Sequence, residues 1–211
     1  MASDPDDRRH APATSRNRGP ILKVLSRVLP ATGCVLEIAS GTGEHAAWFA
    51  PRLQPRIWQP SDAAAEMRAS IAAHAAEAAA PNLRAPLALD VTAANWPQAV
   101  TAALDDAPLR AIVNINMIHI SPWSAAEGLV AGAGQLLSAG GVLFLYGPFR
   151  IGGKHTAPSN EAFDRMLRAQ DSTWGVRDLE AVAALAGTHG FALRDRVDMP
   201  ANNLSLIFER A

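Results

Sequence analysis

Val35-Leu-Glu-Ile-Ala-Ser-Gly-Thr-Gly43 opens as a short apolar run and closes on two glycines one residue apart, with helix-forming residues from Glu44 onward. That order of residues is the pattern of a buried strand running through a glycine turn into a helix. Glycines at such a turn let backbone approach a ligand closely, and the helix N-terminus leaves N–H groups free to hold it. A carboxylate of a bound amino acid or a pyrophosphate suits that place.

Outward from this turn the chain alternates helical and strand-like segments. Upstream, Pro20 to Leu29 has Ile21, Leu22, Leu25, Val28 and Leu29 on one helical face, and Pro30 and Gly33 end it. Downstream, Arg56–Ser61 reads as a second strand and Ala63–Ala79 as a helix with Met67, Ile71, Ala75 and Ala78 inward. Pro86–Val91 is a third strand, Trp96–Leu104 a helix and Ala111–Ile118 a fourth strand. Ser124–Leu137 is a helix and Val142–Tyr146 a fifth strand. Arg150–Asn160, with Gly152, Gly153 and Pro158, reads as a loop. Helices near Glu161–Ala169 and Asp178–Thr188 follow, then strands Phe191–Met199 and Leu204–Arg210.

Repeated β-α steps imply a parallel, doubly wound sheet with helices on both faces. The last two strands are joined too closely for a crossover, so they are antiparallel. The expected fold is therefore α/β and Rossmann-like: a mostly parallel seven-stranded sheet with a C-terminal antiparallel hairpin. Residues 1–14, rich in Asp, Arg, Pro and Ala without periodicity, are expected to be a mobile tail, and 15–211 one domain.

Composition bounds the function classes. With 19 Lys and Arg against 20 Asp and Glu the formal net charge is -1, and no long basic run occurs, so nucleic acid is not an expected partner. No apolar run reaches the about 20 residues of a membrane span, and no leader-like stretch opens the chain. Cys34 is the only cysteine and reads as a small core residue. A cytoplasmic location is the expectation from these features. No H-E-x-x-H, paired cysteines or His/Asp cluster occurs, so no metal site is expected. No G-x-S-x-G elbow surrounds Ser40 or Ser121.

Two cofactors compete for the turn. Gly41-Thr-Gly-Glu-His-Ala46 formally matches the dinucleotide pattern G-x-G-x-x-A. Glu37, near the end of the first strand, points elsewhere: in a ligand crevice a carboxylate repels a pyrophosphate and suits a cationic ammonium, which S-adenosylmethionine carries. Asp62 follows the second strand about 20 residues beyond the glycines, the offset at which an acid reaches ribose hydroxyls. Asp90 follows the third strand, where a side-chain acceptor beside the Val91 N–H is able to read an adenine edge. Each acid alone reads as a helix cap or a solvated loop residue, but all three at successive strand ends accord with one crevice, although a nicotinamide enzyme would share Asp62.

The fourth strand runs into Asn114-Ile-Asn-Met-Ile-His-Ile-Ser-Pro-Trp123. Alternation sets Asn114 and Asn116 on one face, with Asn116 a wall of the cofactor site, and Met117 and His119 on the other. His119 is the first candidate general base. A hydrogen-bonded structural histidine is its other reading. Tyr146, the only tyrosine, ends the fifth strand and is the second candidate, or else a core ring. Trp123 is either an aromatic pocket wall or a cap on the sheet edge. Arg150, Lys154 and His155 lie in the glycine-bearing loop, which is either a lid for an acidic acceptor or a plain solvated loop.

At these residues the sequence resembles the family called domain of unknown function 938, which includes methyltransferase-like protein 26. The resemblance covers nearly the whole chain after the tail. It is carried by Arg16-Asn17, Leu36-Glu-Ile-Ala-Ser-Gly-Thr-Gly-Glu-His45, Trp58-Gln-Pro-Ser-Asp62, Leu89-Asp-Val91 and Asn116-Met-Ile-His-Ile-Ser-Pro-Trp123. Tyr146-Gly-Pro-Phe149, Thr156-Ala-Pro-Ser-Asn160, Trp174-Gly-Val-Arg-Asp-Leu-Glu180 and Pro200-Ala-Asn-Asn203 complete it. The resemblance implies a class I methyltransferase fold and an S-adenosylmethionine site. The cofactor set is then Arg16, Asn17, Glu37, Ala39, Ser40, Gly41, Gly43, Ser61, Asp62, Asp90, Val91 and Asn116. Ala39 stands where many class I enzymes carry glycine. The expected function is methyl transfer from S-adenosylmethionine to a small-molecule acceptor. The alternatives are a cofactor-binding sensor or partner module without turnover, and a nicotinamide-dependent reductase.

Overall fold

The computed structural model describes residues 7–104 and 107–211. Its first half contains α1 (Pro12–Val28), β1 (Cys34–Ile38), α2 (Glu44–Phe49), β2 (Ile57–Asp62), α3 (Ala65–Ala78), β3 (Leu87–Ala88), α4 (Trp96–Ala103) and β4 (Leu109–Ile115). The second contains α5 (Trp123–Leu136), β5 (Val142–Gly147), β6 (Phe149–Ile151), β7 (Lys154–His155), α6 (Pro158–Gln170), β8 (Arg177–Asp178), α7 (Leu179–Thr188), β9 (Phe191–Met199) and β10 (Asn203–Arg210). The main sheet has the order β3-β2-β1-β4-β5-β10-β9. β1 pairs in parallel with β2, and β2 with β3, whereas β10 runs antiparallel to both β5 and β9. This is the expected doubly wound α/β sheet closed by a C-terminal hairpin. No helix among the described residues is long and apolar enough to cross a membrane.

The elements gather into two compact units: residues through Asp90 with Gln98–Val113, and Val91–Pro97 with Asn114–Ala211. In the first unit β1 is buried at every position and holds Cys34, which forms no disulfide, at 0% exposure. Helix α1 begins at Pro12 rather than at Pro20. Proline at the first helical turn forfeits no intrahelical bond, and Pro20 is accommodated within the helix. Ile21, Val24 and Leu25 are its buried anchor. Of the expected tail, residues 1–6 lie outside the described residues, and from Arg9 onward the backbone is engaged: its N–H donates to the Ser70 hydroxyl. That contact also explains the inward face of α3. Ser70, Ile71, Ala73 and His74 are buried in place of the fully apolar face expected, because the N-terminal segment presents polar backbone to them.

In the second unit the fourth strand does not persist to Ile118. Asn116 adopts φ 68° and turns the chain into a single 3-10 turn over Met117–His119. Asparagine tolerates this left-handed region better than most residues. The expected loop at 150–160 is instead a hairpin of β6 and β7 around Gly152-Gly153, both at positive φ, and α6 starts at Pro158. With β8 the hairpin forms a small three-stranded sheet of order β7-β6-β8. β9 lies at the end of the main sheet, and its pairing with β10 skips Arg194, which bulges between the pairs Ile207–Asp195 and Phe208–Leu193.

Candidate cofactor site

The turn after β1 is built from residues in the left-handed region: Ala39 at φ 55°, Gly41 at 57° and Gly43 at 88°. A Cβ on Gly41 would meet nothing within 4 Å, so the turn is open there. A Cβ on Gly43 would lie 2.6 Å from Cα of Ile71, so glycine is what lets α3 close against the turn. Ala39 holds the same backbone sign with a side chain, a strained conformation of the kind found at ligand clamps.

Asp62, at the end of β2, reaches this turn. Its Oδ2 accepts the Gly41 N–H at 3.0 Å and its Oδ1 accepts the Ala64 N–H at 3.0 Å, just before α3. One carboxylate thus ties the turn to the segment leading into α3. Ser40 and Ser61 lace the strand ends together. Ser40 N–H donates to the Ser61 carbonyl at 2.8 Å, Ser61 N–H to the Ser40 hydroxyl at 3.2 Å, and the Ser61 hydroxyl to the Glu37 carbonyl at 2.7 Å.

Glu37 has another position than the crevice expected for it. It is 1% exposed, and its Oε2 accepts both the Trp58 indole N–H and the Ser40 hydroxyl at 3.0 Å. Burial pushes its pKa up to about 7; the Trp58 and Ser40 donors oppose the shift and the Asp62 charge adds to it. The carboxylate ties β1 to β2 beneath the turn. The signal for this was in the sequence: Trp58, on the neighbouring strand, needs an acceptor when its ring is buried.

The remaining first-unit candidates sit as follows. Arg16 is exposed on α1, and Asn17 shares a 2.8 Å hydrogen bond with His45 Nε2. Burial, together with the Arg18 charge, depresses the pKa of His45 to about 4, against the opposing pull of Glu44. Asp90 is exposed beyond β3, which pairs only at Leu87 and Ala88. The other two candidates belong to the second unit. Val91 is buried with its carbonyl against Gly128, where a Cβ would come within 2.1 Å of it, and the N–H of the turned Asn116 donates to the Tyr146 carbonyl at 2.8 Å.

Within the second unit, His119 is wholly buried. Its Nδ1 accepts the Arg177 N–H at 3.2 Å, its carbonyl accepts the Gly175 N–H at 2.9 Å, and its ring meets Phe149 edge-on at 4.8 Å. Acceptance at Nδ1 assigns the proton of the neutral ring to Nε2, which lies against Gly147 and has no hydrogen-bond partner. Burial and the Arg177 charge press its pKa down to about 3. The Arg177 side chain donates to the Ile118, Ser121 and Thr173 carbonyls, clamping the segment around His119. Sequence reasoning missed this clamp, although Trp174-Gly-Val-Arg-Asp178 was among the motifs of the resemblance. Tyr146 is 3% exposed at the penultimate position of β5, and Trp123 opens α5 with the Arg177 guanidinium 5.7 Å from its ring. Arg150 and His155 face each other across the β6–β7 hairpin, and Lys154 is exposed at its tip.

The sheet order and the strand–glycine turn–helix unit define a class I methyltransferase-like fold. The chain belongs to the family described as Protein of unknown function (DUF938), whose model matches residues 8–210. Among solved structures it is similar to an O-methyltransferase family protein from Burkholderia thailandensis, at 15% identity and TM-score 0.74 over 94% of this chain and 57% of that one. It is also similar to an O-methyltransferase family 2 protein from Planctomyces limnophilus in complex with apigenin, at 18% identity and TM-score 0.73 over 94% of this chain and 60% of that one. Human N-acetylserotonin methyltransferase in complex with SAM aligns at 14% identity and TM-score 0.73 over 94% of this chain and 53% of that one. The chain thus spans little more than half the length of these proteins.

Proposed function

We propose that the chain binds S-adenosylmethionine at the turn between β1 and α2 and transfers its methyl group to a small-molecule acceptor. The observation that carries this reading is Asp62, whose Oδ2 lies 3.0 Å from the Gly41 nitrogen in a turn of left-handed residues with open space beside Gly41. A carboxylate there is placed to exchange one backbone donor for the ribose hydroxyls of an adenosyl group, while the turn lets the ligand approach the main chain. When bound, the cofactor supplies a methyl group on a sulfonium, already electrophilic. The protein's part is binding, alignment and exclusion of water. A nicotinamide dinucleotide would use the same acid for its own ribose, so the choice between the two cofactors rests on the ligand comparison below.

A second reading, binding without turnover, is favoured by one observation: the Nδ1 lone pair of His119 is engaged by the Arg177 N–H, so in this geometry the ring is a donor and not a base. An acceptor that is already unprotonated needs no base, and a broad acceptor screen separates the two readings.

S-adenosylmethionine and S-adenosylhomocysteine are expected to raise the melting temperature while NAD and NADP leave it unchanged. At about 100 times the dissociation constant, linkage adds about 2.7 kcal/mol, readily seen in a melt. Equal stabilisation by NAD would sink the assignment. Asp62→Ala is expected to weaken S-adenosylmethionine by about 1.5–3 kcal/mol, the span for charge-assisted hydrogen bonds. It should also lower ligand-free stability by about 1 kcal/mol, since the Gly41 and Ala64 N–H groups lose their acceptor. Unchanged affinity by calorimetry would leave Asp62 as an acceptor for the Gly41 and Ala64 N–H groups alone.

A further inference from the structure

The residues that grip the N-terminal segment are the ones that hold the centre of the glycine turn. Glu44 Oε2 accepts the Ala11 N–H at 2.7 Å and the Thr42 hydroxyl at 3.0 Å, while its Oε1 lies 3.1 Å from His10 Nδ1. Ser70, on α3, accepts the Arg9 N–H at 2.8 Å and donates to the Thr42 carbonyl at 2.7 Å. His74 adds a contact of 3.0 Å from Nε2 to the Arg9 carbonyl, and Arg8 pairs with Glu77. Thr42 therefore has its side chain fixed by one strap-binding residue and its backbone fixed by the other. It lies between Gly41 and Gly43, the two residues whose backbone shapes the turn.

The attachment is polar rather than apolar. A cavity of about 330 Å³ lies beside it, lined by His10, Arg18, Glu44, Trp48, His74 and Glu77. Beyond Pro12 the anchor changes to the buried Ile21, Val24 and Leu25 of α1. A segment held by a handful of hydrogen bonds beside a cavity opens at far lower cost than a packed helix. Burial works against the charged form of Glu44, but the Ala11 N–H, His10 and the Thr42 hydroxyl outweigh it and hold the carboxyl below its usual range. Release of the strap removes two of those three partners.

We propose that residues 8–11 are a strap that sets the glycine turn, with Glu44 and Ser70 as the positioning residues that pass its state to Thr42. With the strap down the turn is rigid and preorganised. With the strap lifted Thr42 is freed and the ligand has to order the turn itself. The consequence for S-adenosylmethionine rests on the cofactor reading above; the consequence for the turn does not.

The experiment is amide hydrogen exchange on the ligand-free full chain, paired with calorimetry using S-adenosylmethionine. The variants are Arg8→Ala with His10→Ala, which alter the strap and not the turn, then Ser70→Ala, Glu44→Ala and Glu44→Gln. Exchange at Gly41 and Gly43 is expected to quicken about ten-fold or more in the strap variant and in Glu44→Ala, with β5 amides unchanged and partial rescue in Glu44→Gln. Cofactor affinity is expected to fall about ten-fold in the same variants. Fast exchange confined to residues 9–11, with Gly41 and Gly43 still protected, would overturn the proposal. If wild-type protein fails to bind S-adenosylmethionine, the cofactor reading falls, and the exchange at the turn still decides the strap. The Arg8 and His10 changes lie on the surface, so a failure of Glu44→Ala to fold leaves the decision intact.

Discussion

Gly43→Ala is expected to cost the fold about 2–5 kcal/mol and to remove measurable cofactor binding. Two terms add. An alanine at φ 88° has left-handed strain of about 1–2 kcal/mol, and its methyl would sit 2.6 Å from the Ile71 backbone, an overlap of the kind that costs about 1–3 kcal/mol. Helix α3 cannot yield by rotating a side chain, because the atom struck is Cα. The control is Gly41→Ala, with a similar backbone sign at φ 57° but open space around the added methyl. That variant is expected to lose only the strain, about 1 kcal/mol of stability, while still intruding where a ligand would approach. A Gly43→Ala protein melting within a degree or two of wild type would refute the close approach of turn and helix.

His119→Ala is expected to destabilise the fold by about 2–4 kcal/mol, combining an orphaned Arg177 N–H with the cavity left beside Phe149. It should also change the response to acid. The folded pKa of about 3 lies below the ordinary 6.5, so the unfolded chain binds the extra proton as pH falls. The stabilisation tied to the neutral ring is full above about pH 6.5 and is lost on descent toward pH 3, and the alanine variant should show a shallower acid limb over that interval. His45, with its own depressed pKa near 4, keeps part of that limb in both proteins. Were His119 the general base, turnover would instead fall about 10²–10⁴-fold with the melt little changed. Melting temperature, cofactor affinity and release of S-adenosylhomocysteine with cell extract, all on this one variant, separate the outcomes.

The parts of the fold that sequence disclosed are those in which a single local rule has no competitor. The apolar run from Val35, the glycines and Glu44 allow only a strand, a turn and a helix. The short link at Pro200–Asn202 allows only an antiparallel return. Met117 and Ile118 continue the apolar pattern of the fourth strand past its end at Ile115; what ends it is the backbone sign of Asn116, which hydrophobic periodicity does not carry. The Gly152-Gly153 pair did hold the hairpin signal, since two-residue hairpin turns need positive φ at both positions. The same two glycines, taken together with Pro158, read equally well as an irregular loop. In the site, Asp62 and the turn were legible from spacing. The inward turn of Glu37 had only an indirect signal, a buried Trp58 indole in need of an acceptor, and which acid serves it depends on the register of β1 against β2.

The long strand β9 closes one side of the main sheet, and its exposed positions are mostly charged: Arg194, Asp195, Arg196 and Asp198, with Ala192 and Leu193 the apolar ones. A bare sheet margin of nine residues is a template onto which another chain can add a strand. Here the bulge at Arg194 breaks the even spacing of its free N–H and C=O groups, and the Arg194 guanidinium is drawn back to Glu209 on β10. An incoming strand would have to match an irregular ladder and desolvate charges of both signs. The charges and the one extra residue make this margin a poor template for an added strand.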